Sequence, residues 1–128
     1  MNRDDTTKLE GLLKIDNESY NLLRILTMFM KLDNSQDVPL QAMAVFWYVA
    51  TYQNCTKSEI EKYFNMSKAS ASRMTDYISR YHRLGKAGLG LVSKEQDPKD
   101  KRKTILKLTR KGKDLIEKSF TTLYEDIK

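Results

Sequence analysis

The chain has 128 residues and a net charge of +6, with 40% hydrophobic and 31% charged residues, the composition of one soluble folded domain and not of a disordered chain. Its longest apolar run, Ala42 to Ala50, is about half of what a bilayer span needs, so no membrane partner is expected. The start Met1-Asn2-Arg3-Asp4-Asp5 lacks the order of a secretory signal, and a single cysteine rules out an internal disulfide and fits a reducing, cytoplasmic setting.

The charge is unevenly spread. Residues 57–113 hold 16 Lys and Arg against 6 Asp and Glu, whereas residues 1–56 hold 5 against 7 and residues 114–128 hold 2 against 4. A localised basic segment is the electrostatic footprint of a nucleic-acid partner, although a solubilising lysine-rich face would carry the same charge.

Residues 6–31 place Leu9, Leu12, Leu13, Tyr20, Leu23, Leu26 and Met30 near helical spacing. Asp16-Asn17-Glu18-Ser19 interrupts the pattern, which suits one helix with a weak middle or two short ones. Leu32 to Asp37 is a polar connector, and Pro39 then suits the first turn of a new helix, where its missing N–H costs nothing. Pro39 to Tyr52 is apolar almost all round, with Met43, Val45, Phe46, Trp47, Tyr48 and Val49, and belongs in the middle of the fold.

After a break at Gln53-Asn54-Cys55, Thr56-Lys57-Ser58-Glu59 matches a capping box and starts a helix that stops near Asn65. Ser67 caps the next helix. A short helix, a tight turn and a second helix make a helix-turn-helix, whose second helix enters the major groove of DNA. In that second helix, Ala71, Met74, Ile78 and Tyr81 share one face by spacing and are expected inside. The opposite face collects Ala69, Ser72, Arg73, Asp76 and Arg80, flanked by Ser70 and Tyr77. Serine and arginine there supply donors and acceptors for base edges, and Lys68 in the first turn lies where phosphate is favoured. A solvent-exposed helix would also be small and polar outside.

Gly85 is expected to end this helix, and the glycine-rich passage to Gly90 leads into a strand, Leu91 to Lys94. Asp97-Pro98 opens a turn, and Lys99, Lys101, Arg102 and Lys103 crowd its tip. A hairpin tip that basic is poorly suited to burial and well suited to phosphate. The return strand is Thr104 to Leu108. Thr109 then caps a last helix with Leu115, Ile116, Phe120, Leu123 and Ile127 along one stripe.

Asp97-Pro98-x-Asp100-x-Arg102 followed by Leu108-Thr109-x-x-Gly112 resembles the wing and following helix start of MarR-type winged-helix transcription regulators. Thr56-Lys57-Ser58-Glu59-Ile60 and Met66-Ser67-x-x-x-Ala71-Ser72-Arg73-Met74 stand where that family has its helix-turn-helix, and the resemblance covers about Val38 to Lys118. It implies that Arg102 reaches a minor groove and that Asp100 orients it, which agrees with the attraction of arginine to a narrow groove. Otherwise Asp100 and Arg102 are a turn-stabilising surface ion pair, worth under about 1 kcal/mol. The resemblance also implies homodimerisation through the terminal segments. Three features depart from the family. Tyr81 to Gly90 is longer than its helix-to-strand link, which calls for a displaced wing or an extended second helix. One helix follows Lys113, shorter than the family's C-terminal arm, and Met1 to Leu32 has no clear counterpart.

The expected architecture is mainly α with a small β-hairpin: a winged helix-turn-helix domain over residues 38–112, flanked by N-terminal (1–37) and C-terminal (113–128) helical segments that pair two copies. The expected function is sequence-specific binding of double-stranded DNA as a transcription regulator, with Lys68, Ser70, Ser72, Arg73 and Tyr77 at the major groove and Lys99, Lys101, Arg102 and Lys103 on the wing. A rival reading is a protein-interaction module, docking for example on transcription machinery, with only non-specific DNA affinity. A small-molecule effector stays open. There is no glycine-rich phosphate loop and no metal-spaced Cys/His cluster, and His82 is the single histidine, so neither catalysis nor a cofactor is expected. Redox sensing at Cys55, as in some members of that family, needs an accessible, electropositive site, and only Lys57 is near in sequence.

Overall fold

The computed structural model describes residues 13–80 and 87–126, with side chains from residue 17 onward. The expected roles of Leu9, Leu12, Tyr81, His82, Gly85 and Ile127 lie outside these residues. The described elements run in the order α1 (Leu13–Met30), α2 (Leu40–Thr51), β1 (Cys55–Thr56), α3 (Lys57–Phe64), α4 (Lys68–Ile78), β2 (Val92–Gln96), β3 (Thr104–Leu108) and α5 (Arg110–Leu123). The three strands form one antiparallel sheet in the order β1-β3-β2, with Cys55 opposite Leu106 and Val92 opposite Leu108. This is the winged helix-turn-helix expected from the sequence.

Helix α2 is the hub, as its all-round apolar character requires. Ala42, Val45, Phe46 and Val49 are all but fully buried, each larger side chain contributing roughly 1.5–3 kcal/mol on leaving water. Phe46 meets Phe29 of α1 with ring centroids 5.8 Å apart, and Trp47 reaches Phe120 of α5, also at 5.8 Å. Pro39 is the cap residue immediately before the helix.

Helix α1 is continuous across Asp16 to Ser19. Its core face is Asn21, Ile25 and Phe29, while Tyr20, Leu23, Leu26 and Met30, read as its apolar stripe, face outward together with Leu22. The reason is polar: the Asn21 side-chain amide donates to the carbonyls of Leu123 (3.2 Å) and Glu125 (2.7 Å), closing the end of α5. Arg24 adds an ion pair to Glu125 at 2.9 Å.

Helix α4 stops at Ile78, well before the expected end at Gly85. Ser79 is extended (φ −92°, ψ −171°) and forms a parallel bridge with Val92, so tertiary pairing with the sheet ends the helix. The chain also returns to this point. Gly88 N–H bonds to Arg80 C=O (3.1 Å), Leu89 N–H to Tyr77 C=O (2.9 Å), Gly90 N–H to Ser79 C=O (3.0 Å) and Leu91 N–H to Ile78 C=O (2.8 Å). Residues 77–80 and 88–91 are thus joined in a closed neck. The link does not extend α4, which ends at Ile78.

The wing is anchored at its base by the Thr109 side chain, which donates to Gly90 C=O (2.6 Å) and accepts from Gly112 N–H (3.1 Å). A Cβ at position 112 would stand 2.2 Å from the Leu91 carbonyl oxygen. The Thr-x-x-Gly pattern thus combines a helix cap with a backbone approach that no side chain permits.

Candidate nucleic-acid interface

The helix-turn-helix forms through local chemistry. Thr56 caps α3 by accepting from Glu59 N–H at 3.1 Å. Asn65 ends that helix in the left-handed region (φ 50°, ψ 49°), with Met66 N–H bonded to Glu61 C=O at 3.0 Å, a helix stop that asparagine tolerates well. Ser67 then accepts from Ser70 N–H at 3.0 Å and starts α4. Ala71, fully buried, sets the close approach of α4 to the core.

The outward face of α4 carries Lys68, Ala69 and Arg73 exposed, with Ser70, Ser72 and Asp76 half-buried. Ser70 Oγ lies 3.0 Å from Arg73 Nη2 and 3.1 Å from Ser67 Oγ, so the cap residue and Ser70 hold the guanidinium at the helix start. Ser72 Oγ accepts from Lys57 Nζ at 3.1 Å, and Lys57 also pairs with Glu61 at 3.4 Å. A hydroxyl that accepts from a lysine keeps its own O–H to donate.

Tyr77 is a correction. Expected beside the groove face, it is 5% exposed, and its hydroxyl donates to Asp33 Oδ2 of the α1–α2 connector at 2.6 Å. Burial first, then this bond, pushes the hydroxyl up to about 12. Its ring is large and apolar enough that the core takes it, and Asp33 satisfies the polar end. Tyr77 therefore lies in the core and not on the outward face of α4. Asp76, read on the outward face, pairs with Lys94 of β2 and so fastens the helix to the wing.

At the wing tip, Asp97 N–H bonds to Lys103 C=O (3.0 Å), Lys103 N–H to Asp100 C=O (3.0 Å), and the Asp97 carboxylate accepts from Lys99 N–H (2.9 Å). The Asp100 carboxylate accepts from Arg102 backbone N–H (3.1 Å), Nε (3.1 Å) and Nη2 (3.3 Å). Arg102 is 91% exposed in its side chain all the same. Its bonds hold the Asp100 carboxyl below the ordinary carboxylate range. Lys99, Lys101 and Lys103 are exposed and make no ion pair among the described residues. Sequence reasoning singled out this tip but missed the contacts of Lys57 with Ser72, Lys94 with Asp76 and Asp33 with Tyr77, which join positions at least 15 apart and leave no local pattern.

The site thus offers two sets of donors. Arg73 and Lys68 head one helix, with the serines between them, and a basic turn projects from the adjoining sheet. Both suit an anionic, groove-bearing polymer.

No family model and no curated protein matches the chain. Solved structures match its fold. MarR superposes with a TM-score of 0.58 at 22% identity, covering 89% of this chain and 74% of that one. Transcriptional regulator Tm0710 from Thermotoga maritima gives 0.62 at 14% identity, covering 94% and 74%. A mutant of S. aureus MepR, solved bound to an oligodeoxyribonucleotide, gives 0.62 at 16% identity, covering 93% and 75%. At these identities the likeness establishes the MarR-type winged-helix fold.

Proposed function

We propose that the chain is a double-stranded-DNA-binding transcription regulator that acts as a homodimer on a pseudo-palindromic site. The observation that carries this reading is the pairing of an outward α4 face headed by Lys68 and Arg73 with an exposed wing tip on which Asp100 grips Arg102. In this reading α4 enters the major groove. Arg73, Ser70 and Ser72 reach base edges, and Lys68 lies against phosphate. Arg102 enters the neighbouring minor groove, oriented by Asp100, while Lys99, Lys101 and Lys103 supply the sequence-independent attraction. The DNA-bound MepR structure supports this use of the fold.

Residues 1–37 and 113–128 are the proposed dimerisation segments. The support is apolar exposure: Leu22 (50%), Leu23 (59%) and Leu26 (42%) on α1, and Phe120 (47%) on α5, stand in solvent on a single chain. A patch of that kind marks an interaction surface, and a twofold pair would place two recognition helices about one helical turn apart.

Arg73→Ala tests the assignment. Expected is a loss of roughly 1–3 kcal/mol on the preferred site with relaxed base preference, read by fluorescence anisotropy on preferred and random duplexes. An equal loss on both would make Arg73 a phosphate contact. Binding without sequence preference by the unaltered protein would favour the protein-interaction reading.

A further inference from the structure

Tyr77 and Asp33 are separated by 44 positions and meet where the recognition helix touches the connector behind α1. Asp33 has both carboxylate oxygens engaged. Oδ1 accepts from Ser35 N–H (2.9 Å) and Ser35 Oγ (2.8 Å), which folds the connector, and Oδ2 accepts from Tyr77 (2.6 Å). That last distance falls in the short range of about 2.5–2.7 Å typical of O–H to carboxylate bonds. The connector is itself tied to α1, because Leu32 N–H bonds to Phe29 C=O (3.2 Å) and Val38 N–H to Met30 C=O (3.0 Å). From α1 to the end of α4 each joint is therefore hydrogen-bonded.

Tyr77 also stands next to Asp76, which pairs with Lys94 on the wing strand. Two adjacent residues of α4 thus add polar ties, to the α1–α2 connector and to the wing strand, beyond its packing on the core. Buried Ala71, Thr75 and Ile78 seat α4 on the core, and a directional bond at the far end of the Tyr77 ring adds an orientational constraint to that packing.

We infer that the Tyr77–Asp33 bond fixes where α4 stands relative to α1, which makes Tyr77 a positioning residue for the half-site spacing the dimer accepts. The inference rests on the regulator reading, in which α1 lies at the twofold axis. Tyr77 itself touches no DNA. The two recognition helices are then held at one separation by a chain of polar contacts, and a site respaced by a single base pair fits poorly.

The test begins with sites selected from random DNA by the unaltered protein, which fix the preferred spacing. Binding of the wild-type chain, Tyr77→Phe and Asp33→Asn is then measured on that site, on versions one base pair longer and shorter, and on random duplex. Tyr77→Phe keeps the ring and removes the hydroxyl. It is expected to bind the preferred site about tenfold more weakly, to lose most discrimination against the respaced sites, and to leave random-duplex binding, circular dichroism and solution mass unchanged. Asp33→Asn keeps an acceptor for the tyrosine and is expected to fall between. Wild-type discrimination retained by both variants would overturn the inference and leave the regulator reading standing. An equal loss on all DNAs would reduce Tyr77 to a structural residue and overturn it too. A wild-type chain that enriches no site would overturn the regulator reading and this inference with it.

Discussion

Gly88→Ala probes the closed neck that seats the wing against α4. A Cβ at Gly88 would stand 2.0 Å from the Ser79 carbonyl oxygen and 2.9 Å from that of Asp76. Both are backbone atoms at the end of α4, so no side-chain rotation relieves the clash. The strand of contacts must open, and four backbone bonds from Gly88 to Leu91 lie in its path. Weakening two of them at about 1 kcal/mol each, with about 1–3 kcal/mol for overpacking, gives a loss of roughly 3–5 kcal/mol, a large share of an ordinary domain's stability of about 5–15 kcal/mol. Gly90 is the control. It has the left-handed φ of +71° but open space around it, with nothing nearer than the Lys111 side chain at 4.0 Å. Gly90→Ala should therefore cost only about 1–2 kcal/mol of backbone strain. Equilibrium urea unfolding of the two variants, with m held in common, gives the comparison. A Gly88→Ala chain that unfolds at the wild-type midpoint, or that loses less than Gly90→Ala, refutes the crowding account of the neck.

At the wing tip, Asp100 is held below the ordinary carboxylate range chiefly by its Arg102 hydrogen bonds. A depressed folded pKa means the arrangement is intact above the unfolded value and is lost as pH falls through the folded one. NMR titration should place the Asp100 midpoint below about 3.9 and move it upward in Arg102→Ala; an unmoved midpoint contradicts the grip. Cys55 is 3% exposed, and burial, with the Glu59 carboxylate second, pushes its thiol up from 9.0 to about 11. The protonated thiol's contribution to stability is thus present below the unfolded value and lost as pH rises through the folded one. At pH 8 a disulfide reagent should react far more slowly with native protein than with urea-unfolded protein, and equal rates would contradict a buried, inert thiol.

What was legible in the sequence is what local chemistry decides. The caps at Thr56, Ser67 and Thr109 each satisfy an N–H three residues on, and the wing turn closes on its own aspartates. Such contacts sit inside a short window of sequence. β1 was not legible, because two residues carry no alternation and pair only through distant Ile105 and Leu106. The end of α4 was set by Ser79 pairing with Val92, a contact no periodicity reveals. Tyr77 was misplaced for a related reason. Its spacing fits the edge of the outer face, but Asp33 offers its hydroxyl a partner inside. In α1 both faces are apolar enough to bury, and Asn21, bonded to the end of α5, decides between them.

The most direct test of the regulator reading is selection of bound duplexes from random DNA by the full chain, with solution mass measured on the same preparation. Expected are a dimer mass and an enriched pseudo-palindrome with half-sites about one helical turn apart, bound on the order of 10³-fold or more tighter than random duplex at physiological salt. A pool that shows no enrichment, from protein that binds all duplexes with the same steep salt dependence, would contradict it.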